Sequence, residues 1–361
     1  MTKVGILTYH KTTNYGALLQ AFALQSKLNE LGADAEIINY HCKNIEKREM
    51  ISFPKPGKNI NIIKYAKRIK AFYNVSQKRK KMKHFMDKYM TFSKDEYTKE
   101  TIKKSNKVYD KFVVGSDMVL DLEINGYDMS FYLDFAEPKK RYSYAASLGI
   151  EKIDNEHLNS CIEELEKFQH ISIREEQGKN YFSKLLKNKV YSDIDPTLLY
   201  DGTFWKQYEE IPKKKPKKKY ILLYFLNRNM PEFEIARRIA KENDMDIYVL
   251  SNSKKKIDGC NVIYDASVGE FLYYIHNAEL VITASYHGLV FSINYKTNFM
   301  FFCHNNSASR LNNVARITGT IGRELKIDEI PPLKCDFSKI DTIIGKLRKK
   351  SIDYLKSIVE E

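Results

Sequence analysis

Short apolar runs alternate along the chain with longer segments in which apolar residues recur at helical spacing. Residues 4–8 form an apolar run, and the segment 17–31 places apolar side chains at positions 17, 18, 21, 24, 28 and 31, just before Gly32. A short apolar run with β-branched content is typical of a buried parallel strand, and the second pattern predicts a helix that a glycine ends. With a strand predicted at 35–40, the chain opens with a β-loop-α-β unit.

The same alternation continues to the end of the chain. Further strands are predicted at 111–114, 127–135, 141–147, 171–173, 190–191, 220–225, 247–251, 280–282 and 298–303. Further helices are predicted at 60–73, 156–168, 232–243, 269–278 and 341–359. Two strand-helix series of this kind predict an α/β fold with two Rossmann-like lobes and a cleft between them. The predicted boundaries are an N-terminal lobe at 1–203 with a basic helical excursion at about 43–104, a lysine-rich linker at 204–219, a C-terminal lobe at 220–335 and a C-terminal helix at 336–361.

Small and polar residues follow several of the predicted strands. The run 280–282 stops at Thr283-Ala284-Ser285-Tyr286-His287-Gly288, and a second apolar run follows at once. Ligands of open α/β sheets bind at the carboxyl ends of strands, beside helix N-termini. An anion is therefore expected near Ser285, His287 and the Gly288 amide. The loop after the first strand contains only Gly16, so the GxGxxG fingerprint of a classical dinucleotide site is absent.

The charge of the chain is concentrated in one region. The formal net charge is +14, and residues 43–104 hold 19 Lys and Arg against 6 Asp and Glu. The predicted helix at 60–73 is basic and amphipathic, a type of helix that can lie on an anionic membrane surface; the alternative is a surface helix packed on its own domain. No nucleic-acid-binding motif accompanies the charge, so nucleic acid is not expected as a partner.

Other sequence features limit where the protein is expected and which chemistry it can carry out. No run of eighteen apolar residues appears, and the N-terminus reads as a strand rather than a signal peptide. Five cysteines lie far apart with no CxxC pair, which indicates reduced, mostly buried thiols and no zinc site. A cytoplasmic protein is expected, with a peripheral position at the inner face of the cell membrane as a further possibility.

Eight short segments in fixed order carry a more specific signal. They are Thr8-Tyr9-His10 with Asn14-Tyr15-Gly16-Ala17-Leu18-Leu19-Gln20-Ala21, Val113-Val114-Gly115-Ser116-Asp117, Tyr144-Ala145-Ala146-Ser147-Leu148-Gly149, Ile173-Arg174-Glu175, Asp195-Pro196-Thr197-Leu198-Leu199, Ser285-Tyr286-His287-Gly288 and Ser309-Arg310. Together these segments resemble the polysaccharide pyruvyl transferase family. The resemblance implies a fold like that of the GT-B glycosyltransferases, with the active site between the lobes. It also implies transfer of pyruvate from phosphoenolpyruvate, as a ketal, to a sugar of a cell-surface polysaccharide or of its lipid-linked precursor.

The implied reaction needs groups that hold two anions and move protons. This scheme requires no metal, and phosphoenolpyruvate enters as the donor substrate rather than as a cofactor. Catalytic roles are expected for His287, which suits proton transfer near neutral pH, and for Asp117 as general base. Donor binding is expected from Arg174, Ser285, Gly288, Arg310, Asn14 and Gly16. Contact with the acceptor, or a position in the wall of the cleft, is expected for His10, Tyr15, Ser116 and Tyr286.

Each of these assignments has a structural alternative. Arg174 could pair with Glu175 or Glu176 at a helix start, and Arg310 could be a solvated loop residue. Asn14 and Gly16 could only shape a turn, and the Ser116-Asp117 pair could be a helix N-cap. His10 is a second candidate for the general base.

One departure from the family pattern concerns the donor. Family members closest to proven pyruvyl transferases tend to have Arg-Leu-His where this chain has Ser285-Tyr286-His287. An arginine that could neutralise the donor phosphate is therefore missing. Two alternatives to pyruvyl transfer stay open: a GT-B-type glycosyltransferase that uses a nucleotide sugar, and a non-catalytic basic scaffold at the membrane.

Overall fold

Two compact units make up the described part of the chain. The computed structural model of the protein describes residues 1–49, 62–150, 152–224, 231–251, 253–303 and 308–361. Unit 1 comprises Met1–Leu199 together with Leu347–Glu361, and unit 2 comprises Tyr200–Lys346. Each unit contains its own parallel sheet.

Unit 1 is built around a five-stranded parallel sheet. Its strands are β1 (Lys3–Leu7), β2 (Asp34–Tyr40), β3 (Phe92–Tyr97), β4 (Lys111–Val114) and β5 (Arg141–Ser143), followed by β6 (Ile171–Ile173) and β7 (Val190–Ser192), which form a two-stranded parallel sheet. Its helices are α1 (Tyr15–Glu30), α2 (Lys43–Glu49), α3 (Ile62–Tyr89), α4 (Leu122–Asn125), α5 (Asn155–Leu165) and α6 (Glu176–Phe182). The strand order of the main sheet is β3-β2-β1-β4-β5. In this order the chain changes direction across the sheet between β1 and β4, which is where α/β proteins place their ligands.

Unit 2 repeats this topology. Its strands are β8 (Tyr220–Tyr224), β9 (Asp246–Leu250), β10 (Asn261–Ile263), β11 (Leu280–Thr283) and β12 (Phe299–Phe301). Its helices are α7 (Gly202–Lys206), α8 (Pro231–Glu242), α9 (Val268–His276), α10 (Tyr286–Tyr295), α11 (Ala308–Ile317) and the first part of α12 (Ser338–Glu360). The parallel order is β10-β9-β8-β11-β12, so the switch point lies between β8 and β11. The predicted α/β class with two Rossmann-like units is confirmed.

The central strands are buried along their whole length. All four residues of β4 and all four of β11 are buried, as expected for parallel strands that are covered on both faces. The first helix is also buried on most of its surface, and its N-terminus is capped by Asn14. The apolar runs of β4 and β11 are also the ones that predicted strands most clearly from the sequence.

Three predictions of local structure were wrong. The predicted strand at 127–135 is a short 3-10 helix, Met129–Tyr132, because the Asp128 side chain caps it by accepting a hydrogen bond from the Ser130 amide. The edge strands β3 and β10 were not predicted, since β3 exposes its middle residues and β10 has none that is fully buried. Helix α3 runs to Tyr89, well beyond the predicted end at residue 73. Residues 60 and 61 of that prediction lie outside the described residues.

The domain boundaries also differ from the prediction. The division falls after Leu199, because α7, which overlaps the predicted linker, packs into unit 2 through the fully buried Trp205. The indole ring of Trp205 lies 5.0 Å from the ring of Phe291. The end of the C-terminal helix belongs to unit 1, where the Ser351 hydroxyl donates to Asp193 at 2.8 Å.

Two further sequence expectations can be compared with the structure. All five cysteines are free, but only Cys42 and Cys161 are buried, so the expectation of mostly buried thiols was too broad. Among the described residues, no helix combines the length and the apolar character needed to cross a bilayer.

Candidate functional site

The loop after β1 begins the candidate site in unit 1. The Thr8 hydroxyl donates to the Ser116 carbonyl at 3.2 Å and accepts from the Gln20 amide at 2.9 Å, which ties this loop to the end of β4 and to α1. The Asn14 side chain accepts hydrogen bonds from the amides of Gly16 and Ala17 as the N-cap of α1. Asn14 and Gly16 therefore do shape the turn into α1, which was the structural alternative for both. Their part in donor binding stays a prediction.

Tyr15 was predicted to line the acceptor side of the cleft. It is the first residue of α1 and is 4% exposed. The ammonium group of Lys78, from α3, lies 4.7 Å from the centre of its ring, within the range of a cation–π interaction. Helix α3 thus covers this part of unit 1, and the acceptor role of Tyr15 stays a prediction.

Arg174 lies at the centre of a buried polar network at the end of β6. Its Nε donates to Glu175 Oε1 and its Nη1 donates to Asp195 Oδ2, both at 2.9 Å. The Ser147 hydroxyl donates to the same Glu175 oxygen at 2.7 Å, and the Ser116 hydroxyl donates to Asp195 at 3.2 Å. Four of the recognised segments, far apart in sequence, therefore meet in one network.

This network has consequences for the predicted role of Arg174. Its side chain is 2% exposed, and both carboxylates that contact it are almost completely buried. The formal charges of Arg174, Glu175 and Asp195 sum to −1. An anionic donor that reached this guanidinium would enter a cluster in which two carboxylates already offset the positive charge. The structural alternative, pairing with Glu175, is thus observed, while donor binding by Arg174 stays a prediction.

Asp117 follows Ser116 in a turn with unusual backbone geometry. Its φ is +70°, a left-handed conformation that aspartate tolerates better than most residues. Its Oδ1 accepts from the Met118 amide at 2.9 Å, and the residue is 7% exposed. The N-cap of the next helix, α4, is Asp121, so the helix-cap alternative for the Ser116-Asp117 pair was wrong. The role of Asp117 as general base stays a prediction.

His10 is a buried histidine with a defined tautomer. Its Nδ1 lies 3.1 Å from the Thr8 carbonyl oxygen, which can only accept, so Nδ1 carries the proton and Nε2 has the lone pair. Burial lowers the pKa of His10 to about 4, although the Thr8 carbonyl opposes this shift. The ring is therefore neutral near pH 7. Its Nε2 can accept a hydrogen bond from a hydroxyl group, but it is a weak base for removing a proton.

In unit 2 the candidate residues form the turn from β11 into α10. Ser285 is the N-cap of α10, where its hydroxyl accepts from the Gly288 amide at 3.4 Å. The Ser285 amide donates to the Thr283 hydroxyl at 3.0 Å, and that hydroxyl donates to the Tyr224 carbonyl at 2.7 Å. A Cβ atom on Gly288 would lie 2.4 Å from Thr283 Oγ1. Glycine at 288 therefore lets the helix approach the sheet closely.

The remaining predicted residues of unit 2 lie near helix starts. His287 is in the first turn of α10, is 7% exposed, and has its ring 5.1 Å from that of Tyr286 in an edge-to-face arrangement. Arg310 is in the first turn of α11 and is partly buried, so it is a helical residue rather than a loop residue. Residues 304–307, which precede α11, lie outside the described residues. The roles predicted for these side chains stay predictions.

A polar cluster beside His10 was not predicted from the sequence. The Lys11 ammonium lies 2.8 Å from His41 Nε2, and the two ring nitrogens of His41 lie 2.7 Å from Glu46 and 2.9 Å from Glu96. These residues come from the β1 loop, the end of β2, α2 and β3. No short motif joins them, and only the adjacency of β1, β2 and β3 brings them together.

Comparison with known protein families identifies one match. A family model described as polysaccharide pyruvyl transferase matches residues 14–306, which is most of the chain. The match confirms the resemblance of the recognised segments. None of the curated proteins compared with this sequence matches it significantly.

Comparison with solved structures identifies remote relatives in fold. A putative UDP-N-acetylglucosamine 2-epimerase from Listeria monocytogenes has a TM-score of 0.51 and 10% identity, covering 98% of this chain and 90% of that one. The UDP-N-acetylglucosamine 2-epimerase from Rickettsia bellii has a TM-score of 0.46 and 11% identity, with 98% of each chain covered. A Streptomyces glycosyltransferase has a TM-score of 0.42 and 8% identity, covering 100% of this chain and 96% of that one. At this identity the likeness concerns the fold alone, which is of the GT-B type.

Proposed function

Because the chain belongs to the polysaccharide pyruvyl transferase family, we propose that this transferase moves pyruvate from phosphoenolpyruvate to a sugar of a cell-surface polysaccharide or of its lipid-linked precursor. The observation that supports the proposal best is the match of the family model over residues 14–306. Most of the recognised segments also stand at or just after the carboxyl ends of parallel strands, among them β1, β4, β5, β6 and β11, where α/β enzymes bind their substrates. Membership of a transferase family argues against the non-catalytic scaffold.

The proposed reaction forms a ketal and releases phosphate. Two hydroxyl oxygens of the sugar form bonds to C2 of phosphoenolpyruvate, and the bond from C2 to the phosphate oxygen breaks. C3 takes up one proton to become a methyl group. The two hydroxyl groups release two protons, so one balances the proton gained at C3 and the other leaves with the phosphate. The enzyme must therefore supply an acid near C3, a base near the hydroxyl groups and cationic or amide contacts for the anions.

The side chains of unit 2 are the better candidates for donor binding. His287 and Arg310 both lie in the first turn of a helix, where the helix dipole favours negative charge. Ser285 and Gly288 belong to the same turn as His287. In unit 1, Arg174 already contacts two carboxylates. We therefore assign His287 to proton transfer or phosphate contact, and Asp117 remains the carboxylate proposed as base.

Release of inorganic phosphate tests the proposal. The purified protein, incubated with phosphoenolpyruvate and a panel of sugar glycosides, is expected to release phosphate only when an acceptor is present. His287→Asn is expected to lower kcat at least a hundredfold, the usual range for loss of acid–base catalysis. His276→Asn, at the end of α9 in the same unit, serves as the control and should retain activity. Phosphate release at background with every acceptor would refute pyruvyl transfer, and full activity of His287→Asn would refute the role of His287.

A glycosyltransferase that uses a nucleotide sugar is the second candidate. The specific feature is Ser285, which stands where the resemblance to proven pyruvyl transferases implies an arginine. Calorimetric titration with phosphoenolpyruvate and with UDP- and dTDP-sugars separates the two donors. Binding of a nucleotide sugar without binding of phosphoenolpyruvate would favour this second candidate.

A peripheral position on an anionic membrane is proposed for the same enzyme. The first half of α3 exposes Ile62, Ile63 and Tyr73, with Lys67 and Lys70 exposed among them. Exposed apolar side chains beside lysines suit the interface of an anionic lipid bilayer. Flotation with vesicles containing phosphatidylserine is expected to recover the protein at low salt, and Ile62→Ser with Ile63→Ser is expected to reduce the recovery. Absence of flotation at low salt would refute this part alone.

A further inference from the structure

A cavity in unit 1 lies outside the network around Arg174. It has a volume of about 560 Å³ and is lined by residues from the β1 loop, the end of β2, α2, α3 and β3. This size is within the range of small-molecule sites. Helix α3 closes one side of the cavity, and the loop that carries His10 closes another.

One side of the cavity is apolar. Met82 and Met86 reach it from α3, and Phe92 reaches it from the start of β3. The ring of Phe92 lies 5.4 Å from the ring of His10. An aromatic ring next to flexible methionine side chains offers a surface on which the C–H face of a sugar ring can pack.

The polar side of the cavity carries balanced charge. Its lining contains the basic residues Lys11, Arg79 and Lys83 and the acidic residues Glu46, Asp87 and Glu96. The Lys11 ammonium lies 3.6 Å from Glu46, and the Lys83 ammonium lies 2.7 Å from Asp87. Because the lining has no excess of positive charge, it does not favour an anion such as phosphoenolpyruvate or a nucleotide. It favours a neutral ligand with many hydroxyl groups.

His10 provides a specific contact in this cavity. The residue is 3% exposed, and its Nε2 makes no hydrogen bond of normal geometry to any described residue. The Asn39 side chain makes a weaker hydrogen-bond contact with the ring that raises the pKa of His10. The contact of Nδ1 with the Thr8 carbonyl leaves Nε2 as an acceptor. A buried acceptor of this kind is costly unless a ligand or water satisfies it. A hydroxyl group of a bound sugar is a suitable donor.

We infer that this cavity binds one neutral sugar ring of the acceptor, with a sugar hydroxyl donating to His10 Nε2 and the ring packing against Phe92. This inference rests on the proposed function for the identity of the acceptor as a glycan. It adds the subsite, the neutral charge of the sugar ring and the residues that select it. His10 acts here as a binding residue.

Methyl NMR of the full-length protein, labelled with ¹³C at the methionine methyl groups, tests the inference directly. Methyl glycosides of glucose, galactose, mannose, N-acetylglucosamine and N-acetylmannosamine are titrated in turn. At least one is expected to shift the Met82 and Met86 signals saturably, with Kd on the order of 1 mM, as for a single weakly held ring. Met90, buried in unit 1 outside the lining, and Met300, buried in unit 2, serve as internal controls. Phosphoenolpyruvate at the same concentration is expected to leave Met82 and Met86 unshifted.

Variants of His10 test the specific contact. His10→Leu removes the acceptor and is expected to raise Kd about tenfold, whereas His10→Gln keeps an acceptor and should stay within about threefold. His84→Gln, an exposed histidine on α3, is the matched control and should bind like the parent protein. If His10→Leu does not fold, Phe92→Leu tests the cavity instead. Its Kd for the methyl glycoside is expected to rise at least threefold.

The outcomes separate this inference from the proposed function. Sugar-induced shifts of Met82 and Met86 without any turnover of phosphoenolpyruvate would support the subsite and refute the donor. Turnover of phosphoenolpyruvate with a sugar acceptor, but no shift of Met82 and Met86, would refute the subsite and leave the function intact. Shifts caused by phosphoenolpyruvate at these methyl groups, or equal binding by His10→Leu, would also overturn the inference.

Discussion

Replacing Arg174 with methionine separates its structural role from its predicted role in donor binding. Methionine keeps much of the side-chain volume but leaves Glu175 and Asp195, both almost fully buried, without their shared cation. Breaking a buried ion pair by removing one partner typically costs about 3–5 kcal/mol, because an uncompensated charge remains inside the protein. For a unit of about 200 residues, each kcal/mol lowers the melting temperature by about 2–4 °C. The expected loss for unit 1 is therefore on the order of 10 °C.

Two probes assign this loss to the correct unit. The single tryptophan, Trp205, is in unit 2, so its fluorescence reports that unit, while hydrogen exchange of peptides from β4 and β6 reports unit 1. Arg141→Met is the matched control, since Arg141 is also buried in unit 1 and paired with Glu164, but stands at the amino end of β5. Both variants should destabilise unit 1 while phosphoenolpyruvate affinity at low temperature stays close to that of the parent.

Two results would contradict this reasoning. A melting temperature lowered by less than about 3 °C in Arg174→Met would show that the network does not stabilise unit 1 through this cation. Phosphoenolpyruvate affinity lowered at least tenfold in Arg174→Met, but unchanged in Arg141→Met, would show that Arg174 binds the donor.

Three further predictions concern stability. Because the pKa of His10 is lowered from 6.5 to about 4, the stability that depends on its neutral form is present above pH 6.5, and about 3 kcal/mol of it is lost as the pH falls to 4. In His10→Gln the free energy of unfolding, measured with urea, should depend less on pH between 6.5 and 4. An unchanged pH dependence would contradict this. Gly288→Ala should destabilise unit 2 by about 1–3 kcal/mol, because the added Cβ would crowd Thr283. Gly345→Ala, at a position with open space around it, should be neutral or stabilising. Equal melting temperatures of the two variants would refute the packing argument. Burial raises the pKa of Asp193, so its contribution is fully favourable below its unfolded pKa of about 3.9 and is lost as the pH rises through its folded pKa. Asp193→Asn should therefore gain melting temperature relative to the parent as the pH rises above that unfolded pKa, and a constant difference would refute this.

The sequence was most informative about segments that are buried on all sides. Strands β4 and β11 were predicted within a residue because all their side chains are buried and, apart from Lys111 at the start of β4, are apolar or small, which leaves one consistent interpretation. Strand β3 was missed because it exposes Lys94, Asp95 and Glu96 at the edge of its sheet. An edge strand is fixed by hydrogen bonds to its neighbour β2, and a polar sequence does not show them.

The candidate site shows the same limit. The motif residues were recognised singly, and the pairing of Arg174 with its neighbour Glu175 was considered from sequence. Its second partner, Asp195, is 21 residues away, and only the parallel pairing of β6 with β7 brings the two together. The cavity beside His10 could not be predicted at all, because two of its walls come from β3 and from the part of α3 beyond residue 73.

Ser285 allows a direct test of which donor the enzyme uses. As the N-cap of α10, its hydroxyl accepts a hydrogen bond from the Gly288 amide. Ser285→Arg and Ser285→Met both remove this bond and should each cost about 0.5–2 kcal/mol of stability in unit 2. Only the arginine adds a cation at the position where the resemblance to proven pyruvyl transferases implies one. A charge-assisted hydrogen bond contributes about 1.5–3 kcal/mol, so Ser285→Arg should bind phosphoenolpyruvate at least about tenfold more tightly than Ser285→Met in a calorimetric titration. Equal affinity of the two variants would mean that the donor phosphate does not lie beside residue 285, and the argument for phosphoenolpyruvate from the family pattern would fail at this position.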